Sequence, residues 1–214
     1  MTILVTGFDR GSDAVNASQA LVDSLREVLP PELQPRRSDL HFAILPLSTR
    51  EVWDALASHI ASCQPRYCVF TGQARGRGRV ELERLASNLK NFGSPDAEGL
   101  QPQGEKIDPT GPQTCRSTLP GQKDMVALLN ASGIPAALSS CAGNHLCNQI
   151  LYQSLFWAKQ YAPELCCGFL HIPPLPEQTL SQWPESPSMP LETTRRALAQ
   201  VLLYLQQQQS GKAL

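Results

Sequence analysis

The segment 41–73, HFAILPLSTREVWDALASHIASCQPRYCVFTGQ, contains a strand, a helix and a second strand in immediate succession. HFAILPL at its start and YCVFTGQ at its end are short apolar runs, the pattern of strands that are buried on both faces. Between them, STREVWDALASHIASC (48–63) has helical spacing, with Ser48 or Thr49 as N-cap and Glu51 in the first turn. A helix that joins two strands in this way predicts a parallel βαβ unit.

The same alternation continues on both sides of this segment. Further apolar runs predict strands at 2–8, 134–140 and 166–176, and helical spacing predicts helices at 16–29, 121–132, 144–162 and 191–208. The pattern favours one α/β domain over residues 1–214, a three-layer α/β/α sandwich with a mostly parallel twisted sheet. A long loop rich in Gly and Pro around 93–121 interrupts it, and loops of this length in compact domains are usually functional or mobile.

Composition narrows the class of protein. The chain has 214 residues and a net charge of −1, which gives no electrostatic reason to expect nucleic acid or an anionic membrane as partner. Apolar runs stay below the ~18 residues that a membrane span needs. The start, MTILVTGFDRG, lacks the basic region and long apolar stretch of a signal peptide, so we expect a cytoplasmic protein. Its seven cysteines are then expected to be mostly buried free thiols.

Two of these cysteines flank a histidine in SSCAGNHLCNQ (139–149). Three interpretations are open: metal ligands, a disulfide, or a nucleophile beside a structural thiol. Metal binding by Cys141, His145 and Cys147 lacks a convincing fourth ligand. Cys147 falls in the first turn of a predicted helix that follows a strand. The unpaired N–H groups and the dipole of that turn are expected to stabilise a thiolate and lower the pKa of Cys147.

A base and an orienting carboxylate are needed to complete a thiol nucleophile. His171 ends the apolar strand in CGFLHIPP, where a histidine is either a hydrogen-bonded core residue or a base. The segment GQARGRGRVELERLASN (72–88) offers Glu81 and Glu83. By themselves these glutamates are typical of a solvated surface on which they pair with the neighbouring arginines Arg75, Arg77, Arg79 and Arg84.

Three motifs together resemble the pyroglutamyl peptidase I family of cysteine peptidases, also called pyrrolidone carboxyl peptidases. VELERLASN is similar to the family's E-R-hydrophobic-A-x-N segment, SSCAGNHLCNQ to its S-N-[ST]-A-G-x-aromatic-hydrophobic-C-N segment, and GFLHIPPLPEQ to its G-F-hydrophobic-H-hydrophobic-P segment. ILVTGF, SPDAEG and STLP also match in order, so the resemblance extends from residue 3 to the C-terminal helix. It implies that Cys147 is the nucleophile, His171 the base and Glu83 the third catalytic residue.

The resemblance also implies the reaction. Cys147 would attack the carbonyl that joins an N-terminal pyroglutamyl residue to the next amino acid of a peptide, without a metal or an organic cofactor. Phe8, Gln73 and His145 correspond to substrate-binding positions. The family commonly forms homo-oligomers, so a dimer or tetramer is expected. The apolar stretch ALAQVLLYL (197–205) is consistent with this, or with a helix whose apolar residues all lie in the core.

The predicted substrate pocket departs from the family pattern. The family's opening reads roughly T-G-F-E-P-F-G-G, whereas this chain has TGFDRGSD, and His145 stands where the family has an aromatic ring. Gly93 stands where many members have Arg. A wider and more polar pocket is therefore expected. Two alternatives follow: the same thiol chemistry on a different N-terminal or amide substrate, or a catalytically silent homologue that binds a peptide or partner.

Overall fold

A six-stranded sheet forms the centre of the protein, whose computed structural model describes residues 1–208. In spatial order the strands are β2 (Leu40–Leu45), β1 (Ile3–Phe8), β3 (Tyr67–Gln73), β10 (Cys166–Ile172), β4 (Val80–Glu83) and β9 (Ala136–Ser139). The first four are parallel to one another. β4 runs antiparallel to β10, and β9 runs parallel to β4. The predicted mostly parallel sheet is confirmed.

Helices cover both faces of this sheet, which confirms the predicted three layers. The helices are α1 (Ala17–Glu27), α2 (Val52–Cys63), α3 (Gln122–Ala131), α4 (Leu146–Tyr161), α5 (Pro176–Gln182) and α6 (Leu191–Gln207). One apolar cluster joins the sheet to α1, α3 and α6, and a second joins it to α2 and α4. Residues 209–214 of the predicted domain lie outside the described residues.

Local sequence explains where the helices begin. Asn16 caps α1, because its side-chain oxygen accepts hydrogen bonds from the backbone N–H groups of Ser18 and Gln19. The Ser48 hydroxyl accepts from the N–H of Glu51 at 3.1 Å, and α2 itself starts at Val52, four residues later than its predicted start at 48. Helix α5 and a 3₁₀ helix at Pro31–Asp39 were not predicted, because each begins at a proline, in a stretch whose prolines indicate the end of an element.

The segment predicted as a long loop around 93–121 contains two short strands, β7 (Gln103–Glu105) and β8 (Thr114–Arg116). They pair with β6 (Lys90–Asn91) and β5 (Leu85–Ser87) in two small antiparallel sheets beside the main one. Buried polar side chains organise the connections: the Asp96 carboxylate accepts hydrogen bonds from the backbone N–H groups of Thr49, Glu98 and Leu100.

The apolar residues of α6 are directed into the core. Ala197, Leu198, Ala199, Val201, Leu202 and Leu205 are buried, and Leu203 and Tyr204 pack against the same cluster. The apolar stretch at 197–205 therefore fills the protein interior, and it provides no independent argument for self-association.

Candidate active site

The side chains of β4 and β10 bring a glutamate and a histidine together. His171 lies opposite Glu81 across the antiparallel pair, and Glu83 lies two residues further along the same face. From there Glu83 Oε1 lies 2.8 Å from His171 Nδ1, with both side chains almost fully buried. Because β4 runs opposite to β10, Glu83 reaches the histidine from a strand of the opposite direction.

Cys147 is the second residue of α4 and so lies in the first turn of the helix, as predicted. Its sulfur lies over Gly72, the residue of β3 that pairs with His171. A Cβ atom added to Gly72 would lie only 2.8 Å from Cys147 Sγ, so the glycine creates the space that the sulfur occupies. Among residues 1–208, no hydrogen bond joins the Cys147 thiol to the His171 ring. Cys147, His171 and Glu83 thus lie on one face of the sheet, and the histidine contacts the glutamate directly.

Arg77, in the β3–β4 connection, is a residue of this site that the sequence reasoning did not single out. Its Nη1 donates to Glu83 Oε1 at 2.6 Å and also to Glu81. Its Nη2 donates to the Cys141 carbonyl at 2.7 Å. The alternation of Arg and Glu in this segment was consistent with a solvated surface, but the side chain of Glu83 is fully buried and only 12% of that of Glu81 is exposed.

Burial dominates the protonation of Cys147. The pKa of the Cys147 thiol is raised to about 12, chiefly by burial and then by the negative charge of Glu83. Arg77 and the backbone N–H of Cys147 act in the opposite direction, but they do not offset this. The expectation that the start of α4 lowers the pKa of Cys147 is therefore wrong, because removing a thiolate from water costs more than the helix terminus returns.

The histidine is also held neutral. Burial lowers the pKa of His171 below its usual value, although the hydrogen bond to Glu83 raises it in part. Burial acts to raise the pKa of Glu83, but hydrogen bonds from His171 and other donors outweigh it and lower that pKa. The resting site at neutral pH therefore contains a thiol, a neutral imidazole and a carboxylate. Because Nδ1 donates to Glu83, Nε2 is the basic nitrogen.

A cavity of about 290 Å³ opens beside the start of α4. It is lined by residues of the segments 10–13 and 94–97, together with Leu47 and His145. The His145 ring stacks on Phe92 with centroids 3.9 Å apart, and its Nε2 lies 3.1 Å from the Ser94 carbonyl oxygen. Residues 10–13, where the sequence departs from the family pattern, thus line the same cavity as His145. The polar groups of both contribute to the cavity wall.

The other two residues expected to bind substrate have structural contacts. Phe8 is 3% exposed and belongs to the core between the sheet and helices α2 and α4. The Gln73 side-chain oxygen accepts from the Ala17 N–H at 2.8 Å and from Gln178 Nε2 at 2.9 Å. The Gln73 side chain therefore ties together the starts of α1 and α5.

Within the described chain, no group of three or more His, Cys, Asp or Glu side chains could hold a metal ion. Cys141 is exposed, whereas Cys147 is turned toward the sheet. In the same part of the chain, none of the helices has the length and apolar character needed to cross a membrane.

Comparison with known proteins identifies the family. The sequence model of pyroglutamyl peptidase matches residues 1–207. Pyrrolidone-carboxylate peptidase of Streptococcus pyogenes serotype M12 (strain MGAS2096) is 35% identical over 199 residues, which are 92% of this chain and 89% of that protein. The crystal structure of pyroglutamyl peptidase I from Bacillus amyloliquefaciens has a TM-score of 0.85 at 33% identity, with 94% of each chain covered.

A second solved structure gives the same result. Pyrrolidone carboxyl peptidase from Fervidobacterium islandicum AW-1 has a TM-score of 0.88 at 30% identity, covering 97% of this chain and 99% of that one. The resemblance that the three sequence motifs indicated is thus confirmed over nearly the whole chain. The chain belongs to the pyroglutamyl peptidase family, a family of cysteine peptidases.

Proposed function

We propose that this protein is a cysteine exopeptidase that removes N-terminal pyroglutamate from peptides through Cys147, His171 and Glu83. The observation that carries the proposal is the 2.8 Å contact between Glu83 and His171. His171 pairs with Gly72, and the Cys147 sulfur lies over that glycine. These three residues are also the ones that the family motifs assign. Neither a metal nor an organic cofactor takes part in the proposed chemistry.

The reaction starts from the neutral pair. His171 Nε2 removes the thiol proton as the sulfur attacks the carbonyl carbon of the pyroglutamyl residue. Glu83, hydrogen-bonded to Nδ1, stabilises the imidazolium that forms. The first-turn N–H groups of α4, which have no partner within the helix, are positioned to stabilise the negative oxygen of the tetrahedral intermediate.

The intermediate collapses as His171 returns the proton to the departing amine, which leaves a pyroglutamyl thioester on Cys147. Water, deprotonated by the same nitrogen, then attacks the thioester and releases free pyroglutamate. Because the thiol pKa is raised to about 12, little thiolate exists before substrate binds. Proton transfer to His171 therefore accompanies attack in the proposed mechanism.

Hydrolysis of a pyroglutamyl coumarin amide tests this proposal. We expect the wild-type protein to release the fluorophore and Cys147→Ser to lose that activity. Cys141→Ser is the matched control, because Cys141 is an exposed thiol in the turn before the same helix, and it should remain active. Mass spectrometry of the acid-quenched enzyme should find the pyroglutamyl group on Cys147. Wild-type activity in Cys147→Ser would contradict the assignment.

The cavity favours one second candidate, the same thiol chemistry on a different N-terminal or amide substrate. Its wall includes Arg10, Asp13 and His145, which offer polar contacts, and His145 stands where the family pattern has an aromatic ring. A panel of coumarin amides with different N-terminal residues distinguishes the two candidates. A catalytically silent homologue would hydrolyse none of the panel and would form no covalent intermediate on Cys147.

Two further expectations accompany the proposal. All seven cysteines are free, as is typical of a reducing compartment, which supports the expected cytoplasmic location. Assembly into a dimer or tetramer stays a prediction from the family resemblance. Light scattering at micromolar concentration tests it, and a mass of 23.4 kDa would identify a monomer.

A further inference from the structure

One guanidinium connects the glutamate of the site to the turn before the nucleophile. Arg77 donates to Glu83 on β4 and, through its other terminal nitrogen, to the carbonyl of Cys141 at 2.7 Å. That carbonyl belongs to the turn between β9 and α4, the helix whose second residue is Cys147. We propose that Arg77 is a positioning residue of the reaction. It holds the Glu83 carboxylate and the turn that precedes Cys147 in a fixed position relative to each other. The proposal rests on the proposed function.

The arrangement of donors around Glu83 supports this role. His171 Nδ1 and Arg77 Nη1 both donate to the same oxygen, Oε1, at 2.8 and 2.6 Å. Two donors at one carboxylate oxygen restrict its rotation, and the side chain of Glu83 is fully buried. Without Arg77 the carboxylate would be free to turn away from the histidine that it orients.

Arg77 also changes the charge that the site experiences. The charged and titratable groups around His171 are Glu83 and Glu81 from β4, Arg77 from the β3–β4 connection, and Cys147 from α4. After burial and the contribution of Glu83, the positive charge of Arg77 lowers the pKa of His171. The charge of Arg77 also lowers the pKa of Cys147, which burial and Glu83 raise. Removing this charge should therefore raise the proton affinity of both reacting groups.

The chain supplies a matched control in Arg79. Its Nε lies 2.9 Å from Glu81 Oε1, so it shares a carboxylate partner with Arg77. Its side chain is 55% exposed, compared with 22% for Arg77, and its hydrogen bonds reach neither Glu83 nor Cys141. Arg79→Gln removes a positive charge from the same connection without disturbing the proposed positioning contacts.

The test compares Arg77→Gln, Arg77→Lys and Arg79→Gln in a Cys141→Ser background, after thermal unfolding has established that each variant is folded. Two readouts are used: the pH profile of kcat/KM on the pyroglutamyl coumarin amide, and the rate at which iodoacetamide alkylates Cys147. We expect Arg77→Gln to lower kcat/KM roughly tenfold to a hundredfold and to move the acid limb to higher pH. Arg79→Gln should match the wild type in both readouts.

Alkylation separates positioning from simple structural support. Loss of the Arg77 charge should make Cys147 react more slowly with iodoacetamide, whereas a loosened structure would expose the thiol and make it react faster. Arg77→Lys keeps the charge but cannot span Glu83 and Cys141, so kcat should fall while the acid limb stays in place. If Arg77→Gln does not fold, Arg77→Lys decides the question.

Three results would overturn the proposal. These are unchanged kcat/KM and pH profile in folded Arg77→Gln, faster alkylation in that variant, and wild-type kcat in Arg77→Lys. Failure of the proposed function is a separate outcome. A wild-type protein that hydrolyses no pyroglutamyl amide contradicts the function, while the alkylation rates of Arg77→Gln and wild type still report whether Arg77 acts on Cys147.

Discussion

Replacing Gly72 by Ala is expected to displace the Cys147 sulfur and to slow hydrolysis more than it destabilises the fold. The new Cβ would lie 2.8 Å from Cys147 Sγ and 2.6 Å from Phe169 Cζ. Non-bonded carbon atoms pack best at about 3.5–4.0 Å, so each neighbour must move by roughly 0.7 Å or more. Phe169 also contacts the His171 ring, with centroids 4.6 Å apart, so the displacement extends to the proposed base.

These shifts set the expected size of the effect. A displacement near 1 Å at a reacting atom can reduce the rate by about a hundredfold, or about 2.7 kcal/mol of activation free energy. Overpacking of a core position costs about 1–3 kcal/mol of unfolding free energy. In a chain of this size each kcal/mol lowers Tm by roughly 2–4 °C. A folded variant with a modestly reduced Tm and a severely reduced kcat/KM is expected.

Gly93→Ala is the control for this experiment. A Cβ at Gly93 would have no atom within 4 Å, so both Tm and kcat should match the wild type. Steady-state hydrolysis of the coumarin amide and differential scanning calorimetry give the two quantities. Wild-type kcat/KM in folded Gly72→Ala would refute the reasoning, because it would mean that moving this sulfur does not affect the chemistry.

Four further predictions follow from the site. Glu83→Gln should lower kcat by roughly 10²–10⁴-fold with little change in KM, and an unchanged kcat would remove Glu83 from the mechanism. Because His171 must be neutral to accept a proton and burial lowers its pKa from 6.5, kcat/KM should stay high as the pH falls to 6.5 and decline only below it; a limb above that value would contradict this. Because burial raises the pKa of Cys147, iodoacetamide near neutral pH should label the exposed Cys141 first, as peptide mapping can establish. His145→Phe should lower KM for the pyroglutamyl amide by making the cavity wall more apolar, and an unchanged KM would mean that His145 does not face the ring.

The sequence predicted most of the fold because the buried strands are short, continuous apolar runs. Each predicted strand overlaps one of the strands Ile3–Phe8, Leu40–Leu45, Tyr67–Gln73, Ala136–Ser139 and Cys166–Ile172. Strand β4 (Val80–Glu83) was not predicted, and neither was its reversed direction. Its residues, VELE, alternate charged and apolar side chains, and only the pairing of Glu81 with His171 in the folded chain reveals that this strand is antiparallel.

For the candidate site, the sequence predicted which residues take part but not how they are buried together. Motif order assigned the candidate residues Glu83, Cys147 and His171, because such motifs fix residue identity at positions far apart in the chain. The proposed role of Arg77 and the direction of the pKa shift at Cys147 depend on which side chains are buried together. A sequence segment in which arginine and glutamate alternate does not reveal that a glutamate is fully buried while Arg79 is exposed.

Burial of the site is a direct consequence of the sheet geometry. Side chains two residues apart on a strand share a face, so Glu83 and His171 lie on the same side as Phe169, which belongs to the core under α4. The position that brings the three residues together therefore also withdraws Glu83 and His171 from water and leaves Cys147 half-buried, and this burial raises the thiol pKa and lowers the imidazole pKa. A charged thiolate–imidazolium pair is disfavoured at rest, so in the proposed mechanism charge separates only as substrate is attacked. Glu83, already ionised and hydrogen-bonded to His171, is the group that makes that separation favourable.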